Sequence, residues 1–191
     1  MAPTDLGGAL LLTARLALEQ AFGGARAALV THSELDRLGA TFVTLTQHGE
    51  LRGCIGTLEA RRALRQDVEE NTRNAAFRDP RFAPLAAAEL DVTRIEVSLL
   101  CAPVPMPIAS EGDLLRRLQP GVDGVVLAFR GRRATFLPQV WESLPEPREF
   151  IAALKHKAGL APGFWHDEVR VSRYVVSKFK EPDARGVPVP S

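Results

Sequence analysis

Arg52 and Cys54 stand two residues apart in Leu51-Arg52-Gly53-Cys54-Ile55-Gly56, a guanidinium and a thiol interleaved with two glycines. A guanidinium presents a fork of donors that fits a carboxylate or phosphate, and a nearby fixed positive charge favours the nucleophilic thiolate over the thiol. Glycine inside a strand supplies no side chain to pack and costs backbone entropy, so this pair points to a place where something approaches the backbone closely. If the stretch is extended, Arg52, Cys54 and Gly56 share one face while Leu51, Gly53 and Ile55 share the other. The spacing predicts Leu51 and Ile55 anchored in the core, with the arginine and the thiol beside a slot left open by Gly56. Cys54 has two readings: a small buried apolar residue in a tight strand, or a thiolate favoured by Arg52. No histidine is placed by sequence to act as its base.

The elements that must position these residues follow from periodicity. Leu11, Ala14, Leu18, Ala21 and Phe22 recur at helical spacing before Gly23-Gly24, which predicts an amphipathic first helix. Thr41 to Thr46 alternates as a strand, and Gln47-His48-Gly49-Glu50 turns it into the Arg-Gly-Cys stretch, so 41 to 47 and 50 to 57 are expected as an antiparallel hairpin. Ala63 to Arg78 reads as a helix ending before Asp79-Pro80, because the residue before proline avoids the helical region. Ile95, Val97 and Leu99 mark a third strand, and Pro103, Pro105 and Pro107 an irregular crossing that is the best internal boundary. Ser110 opens a short helix through Leu118. Val125 to Phe129 and Ala134 to Leu137 form a second hairpin around Arg130-Gly131-Arg132. Pro147 to Gly159 reads as a last helix, Val169 to Phe179 as one long strand, and 182 to 191 as a flexible tail.

Composition narrows the function classes. Apolar residues make up 46% and charged residues 25% of the 191, which suits one soluble globular domain, or one domain with a lesser lobe, over 1 to 181. The formal charge of +1 gives no global field to attract nucleic acid, and the single tyrosine lies outside any base-stacking motif. Arg15 interrupts the apolar run of residues 6 to 18, so neither a signal peptide nor a membrane segment is expected. Cys54 and Cys101 form no CxxC, which fits a reduced, cytoplasmic location. Four scattered histidines show no ligand spacing, and nothing in the pattern calls for a metal or another cofactor.

Five stretches, in order and in register, resemble the successive motifs of the AMMECR family, also called AmmeMemoRadiSam system protein A. They are Leu51-Arg52-Gly53-Cys54-Ile55-Gly56, Asp79-Pro80-Arg81-Phe82, Ile95-Glu96-Val97-Ser98, Leu137-Pro138-Gln139-Val140 and Lys157-Ala158-Gly159-Leu160, spread over roughly residues 8 to 181. The resemblance implies an α+β fold, with an antiparallel β-sheet flanked by helices and a smaller lobe packed beside it. It also implies the company of a radical SAM protein and a Memo-like protein, and it brings no agreed reaction. Trp141-Glu142-Ser143-Leu144-Pro145 departs from the family pattern by being shorter and richer in proline.

These readings give a candidate site. Cys54, Arg52 and Glu96 are the groups for chemistry, with Glu96 as ion-pair partner of Arg52 or, alternatively, Arg52 as a fork for an anionic ligand. Gly53, Ile55, Gly56, Asp79, Arg81 and Gln139 are the candidate ligand contacts. Arg81 reads either as a loop salt bridge or as a ligand contact, and Gln139 as an amide satisfying the turn after Pro138. The arginines at 130, 132 and 133 read as a solvated hairpin tip. Three functions fit: a small-anion site with or without catalysis by Cys54, an adaptor for a peptide or modified residue of a partner, and, least supported, a nucleotide or RNA binder. Cys54 is expected to alkylate faster than Cys101.

Overall fold

The structure is a computed structural model that describes residues 5–24 and 30–182. Its described residues form α-helices and antiparallel β-strands in two compact units, one from 1–99 with 177–191 and one from 100–176. The tail expected beyond Pro182 lies outside the described residues.

In the first unit, α1 (Leu6–Ala21) is capped by Asp5, whose carboxylate accepts the Gly8 N–H at 2.8 Å. Strand β1 (Leu38–Gln47) turns through His48 and Gly49, both at positive φ (51° and 86°), into β2 (Glu50–Gly56). That is the backbone a two-residue hairpin loop requires, and glycine takes it without strain. The short β3 (Arg62–Ala63) leads into α2 (Leu64–Phe77), which stops before Asp79-Pro80 as expected. With β4 (Thr93–Leu100) and β9 (Val176–Lys180) the sheet runs β2-β1-β4-β9, and β3 pairs with β1. β2 is therefore an edge strand. Leu10 and Leu18 of α1, Val68 of α2, Val43 and Leu45 of β1, and Ile95 and Val97 of β4 are at most 1% exposed in one core. Each such side chain contributes about 1.5–3 kcal/mol by leaving water.

Beneath β1 the chain buries a polar knot that its hydrophobic pattern hides. The Asp67 carboxylate accepts the Thr41 N–H and hydroxyl at 2.8 and 2.7 Å, the Thr57 hydroxyl at 2.6 Å, Arg62 Nε at 2.9 Å and Asn71 Nδ2 at 3.0 Å. Full satisfaction lets a carboxylate stay inside, and this one ties the start of α2 to both ends of the hairpin.

The second unit has a sheet ordered β5-β8-β6-β7, from β5 (Val104–Met106), β6 (Gly124–Phe129), β7 (Arg132–Phe136) and β8 (Arg170–Tyr174). Helices α3 (Glu111–Arg117) and α4 (Pro147–Lys157) join its core, where Trp141 stacks on Phe150 with ring centroids 3.7 Å apart. Trp141 also donates its indole N–H to the Asp123 carbonyl at 2.7 Å, so the stretch Trp141-Glu142-Ser143-Leu144-Pro145 begins on a buried anchor.

Two expectations change here. The proline-rich crossing is not wholly irregular, because Val104–Met106 pairs with β8; the strand is short and at the sheet edge, where proline is tolerated. The long strand over 169–179 is two strands, β8 and β9, separated at Val175 and hydrogen-bonded into different sheets. β-Branched sequence specifies an extended chain but not which partner it pairs with.

Candidate functional site

The hairpin pairs Val43 with Ile55, Thr44 with Cys54 and Leu45 with Gly53, and then Thr46 with Leu51, so the register slips and Arg52 is the extra residue of a β-bulge. A one-residue slip inverts the alternation. Ile55 packs against the core as expected, whereas Leu51 shares the face of Thr46 and is 42% exposed, which corrects the expectation that it anchors the core. Arg52, released from the pleat, is placed by its own contacts.

Both glycines are accounted for by the protein itself. A Cβ on Gly53 would overlap the Ala75 carbonyl oxygen, and a Cβ on Gly56 would overlap the Phe42 ring and the Thr41 carbonyl. The close approach inferred at Gly53 is that of α2, and the slot expected at Gly56 is filled by Phe42. A ligand against either glycine would have to displace backbone or the Phe42 ring.

Arg52 does not pair with Glu96. Its Nε donates to Glu89 Oε1 at 2.9 Å and its Nη2 to Glu89 Oε2 at 3.2 Å, a fork-on-fork ion pair whose side chains are 15% and 29% exposed. Glu89 also accepts Gln47 Nε2 at 3.0 Å and the Ala86 N–H at 2.7 Å. These donors, Arg52 foremost, hold the Glu89 carboxyl down at about 2. Glu96 instead binds Lys180 at 2.9 Å and reaches Lys178 at 4.0 Å, because β4 lies between β1 and β9 and its outward carboxylate meets the lysines of β9. The third nitrogen of Arg52, Nη1, is buried with no hydrogen-bond partner.

The loop after α2 joins the arginine to the thiol strand. Asp79 Oδ2 accepts the Cys54 N–H at 2.8 Å and Arg81 Nη2 at 2.7 Å, while Oδ1 accepts the Arg81 N–H at 3.1 Å and its Nε at 3.0 Å. Arg81 Nη2 in turn donates to the Cys54 carbonyl at 3.4 Å. Side chains thus satisfy the outward backbone groups of Cys54, which on an edge strand would otherwise invite another strand. With four donors on a 4% exposed residue, Asp79 is a positioning group with no oxygen left for a ligand. The bond from Arg81, against the opposing effect of burial, holds its carboxyl well below the usual carboxylate range. Phe82 sits beside both guanidiniums, its ring centroid 5.9 Å from Arg52 Cζ and 5.5 Å from Arg81 Cζ.

Cys54 is half-buried, and its Sγ accepts the Thr44 hydroxyl at 3.4 Å. A hydroxyl donor steadies sulfur but takes no proton from it. Arg52, Cys54, Asp79 and Arg81 are therefore brought together, and Glu96 is not among them. Gln139 belongs to the second unit, in the 3₁₀ turn Pro138–Glu142, and its amide makes no hydrogen bond among the described residues, so it does not satisfy that turn. Among the arginines of the hairpin tip, Arg130 pairs with Glu168 at 2.8 Å and Arg132 donates to the Gly159 carbonyl. The sequence reading missed Glu89, Gln47 and Thr44. For Glu89 one signal existed, a lone acid in the alanine-rich run Leu85 to Leu90. No group of three or more His, Cys, Asp or Glu among the described residues could hold a metal ion, and no described helix is long and apolar enough to cross a membrane.

Two antiparallel sheets with their helices, and an Arg-Gly-Cys edge strand clipped by an Asp-Pro-Arg-Phe loop, define an α+β protein of a recognisable type. The AMMECR1 family model matches residues 11–179, and the chain belongs to the AMMECR1 family. A protein of Methanothermobacter thermautotrophicus is 35% identical over 93% of this chain and 95% of its own. Protein MJ0810 of Methanocaldococcus jannaschii is 32% identical over 91% and 89%. The crystal structure of uncharacterized protein PH0010 from Pyrococcus horikoshii superposes with a TM-score of 0.76 at 28% identity, covering 97% of this chain and 96% of that one.

Proposed function

We propose that the face formed by Arg52, Phe82 and Arg81 binds a small anionic group, and that Cys54 beside it is the residue through which any chemistry on that ligand would run. One observation carries the reading: Arg52 Nη1 is a buried cationic donor left without an acceptor after Glu89 has taken the other edge of the guanidinium. Leaving such a group unpaired costs about 1–3 kcal/mol or more when charged, so a fold that keeps it has a use for it. Arg81 supports the reading, since its guanidinium is fixed by Asp79 yet 53% exposed. The deciding experiment is an unbiased metabolite pull-down with the wild type, Arg52→Lys and Cys54→Ser. An anion recovered with the wild type and lost with Arg52→Lys supports binding, and one whose recovery changes in chemical form with Cys54→Ser supports catalysis. No anion enriched by the wild type overturns the proposal.

A second reading is favoured by the exposure of Leu51 and Leu58, both 42%, at the two ends of the same strand region. In that reading these apolar side chains, and not the clipped strand edge, contact a polypeptide segment, and the radical SAM and Memo-like proteins implied by the resemblance are the first partners to test by co-purification. Two free thiols suit the reduced cytoplasm in either case.

A further inference from the structure

We infer that the group taken at this face is a single carboxylate on an apolar body rather than a phosphate ester; the inference rests on the anion-binding reading above and narrows its ligand. It follows from which donors remain and from the charge around them. Glu89 occupies Nε and one hydrogen of Nη2, which leaves the two hydrogens of Nη1 and the second of Nη2. The edge of the guanidinium left without an acceptor is therefore its end-on fork, two nearly parallel N–H bonds whose spacing matches the two oxygens of a planar carboxylate.

Charge decides against the phosphate. Each arginine of the cluster has its own carboxylate, Arg52 with Glu89 and Arg81 with Asp79, so the four side chains sum to zero. Both acids stay ionised at neutral pH. A phosphate monoester, carrying nearly two negative charges at neutral pH, would meet two fixed carboxylates whose charge the two arginines only just balance. Lys178 and Lys180 lie on β9, three strand positions from β2 and hence about 14 Å away at the usual strand spacing. At that range, longer than the roughly 8 Å screening length at physiological salt, they do little to offset the deficit. A monocarboxylate adds one charge and returns two matched hydrogen bonds. The half-buried Phe82 ring beside the fork supplies an apolar wall for the rest of such a molecule.

Benzoate and phenyl phosphate test this, since they share a body and differ in the anionic group. Each is titrated into the full wild-type chain, with the arginine Nε–Hε signals followed by NMR. Benzoate is expected to shift the Arg52 signal and phenyl phosphate to bind at least about tenfold more weakly, with little salt dependence for benzoate because the site is neutral. Arg52→Lys, which keeps the charge and removes the fork, is expected to weaken benzoate by about tenfold or more. If phenyl phosphate binds through Arg52 as well as benzoate or better, the carboxylate inference falls and the anion site stands. If neither compound moves the Arg52 signal and the pull-down yields no anion, both fall together. The wild-type contrast needs no variant to fold.

Discussion

The Asp79 carboxylate accepts the backbone N–H of Cys54 at 2.8 Å across the outer edge of β2, and Arg81 completes the clip from the same carboxylate to the Cys54 carbonyl. This contact gives the Asp-Pro-Arg-Phe loop a physical reason to follow α2 where it does. It closes the edge strand and holds Phe82 against Arg52.

Replacing Asp79 by Asn should therefore cost about 1–3 kcal/mol, because the amide cannot satisfy Arg81 and the Cys54 N–H together as an anion does. The pH dependence has a definite sign. The folded carboxyl is held below its unfolded value of about 3.9, so its contribution is fully present above that value and is lost as pH falls toward the folded one. Urea denaturation from pH 6 downward should show the wild type losing more stability below about pH 4 than Asp79→Asn does. Parallel curves for the two proteins would remove Asp79 as the titrating group.

Arg52 and Glu89 should be energetically coupled, and Arg52 and Glu96 should not. A double-mutant cycle on Arg52→Ala and Glu89→Ala is expected to give a coupling of roughly 1–3 kcal/mol, with each single variant leaving a partly buried charge unpaired. The cycle with Glu96→Ala should give a value within about 0.5 kcal/mol of zero. Coupling of the opposite pattern would refute the pairing described above.

Gly53→Ala should destabilise the fold by about 2–4 kcal/mol, since its Cβ overlaps the rigid Ala75 carbonyl of α2. Gly112→Ala is the control: in helix α3 its Cβ would meet nothing closer than Arg116 Nη1 at 3.6 Å, and a gain of about 0.5–1 kcal/mol is expected. Equal tolerance at both positions in thermal or urea unfolding would mean that α2 does not press on the strand at Gly53.

The sequence reading expects Cys54 to alkylate faster than Cys101, whereas exposure argues for the opposite order. Cys101 is exposed, whereas Cys54 is half-buried and accepts the Thr44 hydroxyl, and Arg52 gives Nε and Nη2 to Glu89. In the folded protein Cys101 should alkylate faster, and the two should converge in denaturant. A Cys54 rate above that of Cys101 at neutral pH would instead show an activated thiol and strengthen the catalytic form of the proposal.

The sequence by itself determined the local elements around the site. The two hairpins, the helix ending at Asp79-Pro80 and the capped helix at Ser110 were legible because each is governed by short-range rules: side-chain period, turn glycines and proline's clash with helical neighbours. It also grouped Arg52, Cys54, Asp79 and Arg81 as candidate site residues with Glu96 and Gln139, and the clip links three of these, Asp79, Arg81 and Cys54. Only the tertiary structure decided the bulge at Arg52, the choice of Glu89 over Glu96, and the filling of Gly53 and Gly56 by Ala75 and Phe42. A bulge leaves no mark in the alternation it interrupts, and an ion-pair partner is selected by strand order, which sequence spacing does not encode. The break at Val175 has the same cause, since β-branched residues call for extended chain while the sheet that receives it is chosen by the edges on offer.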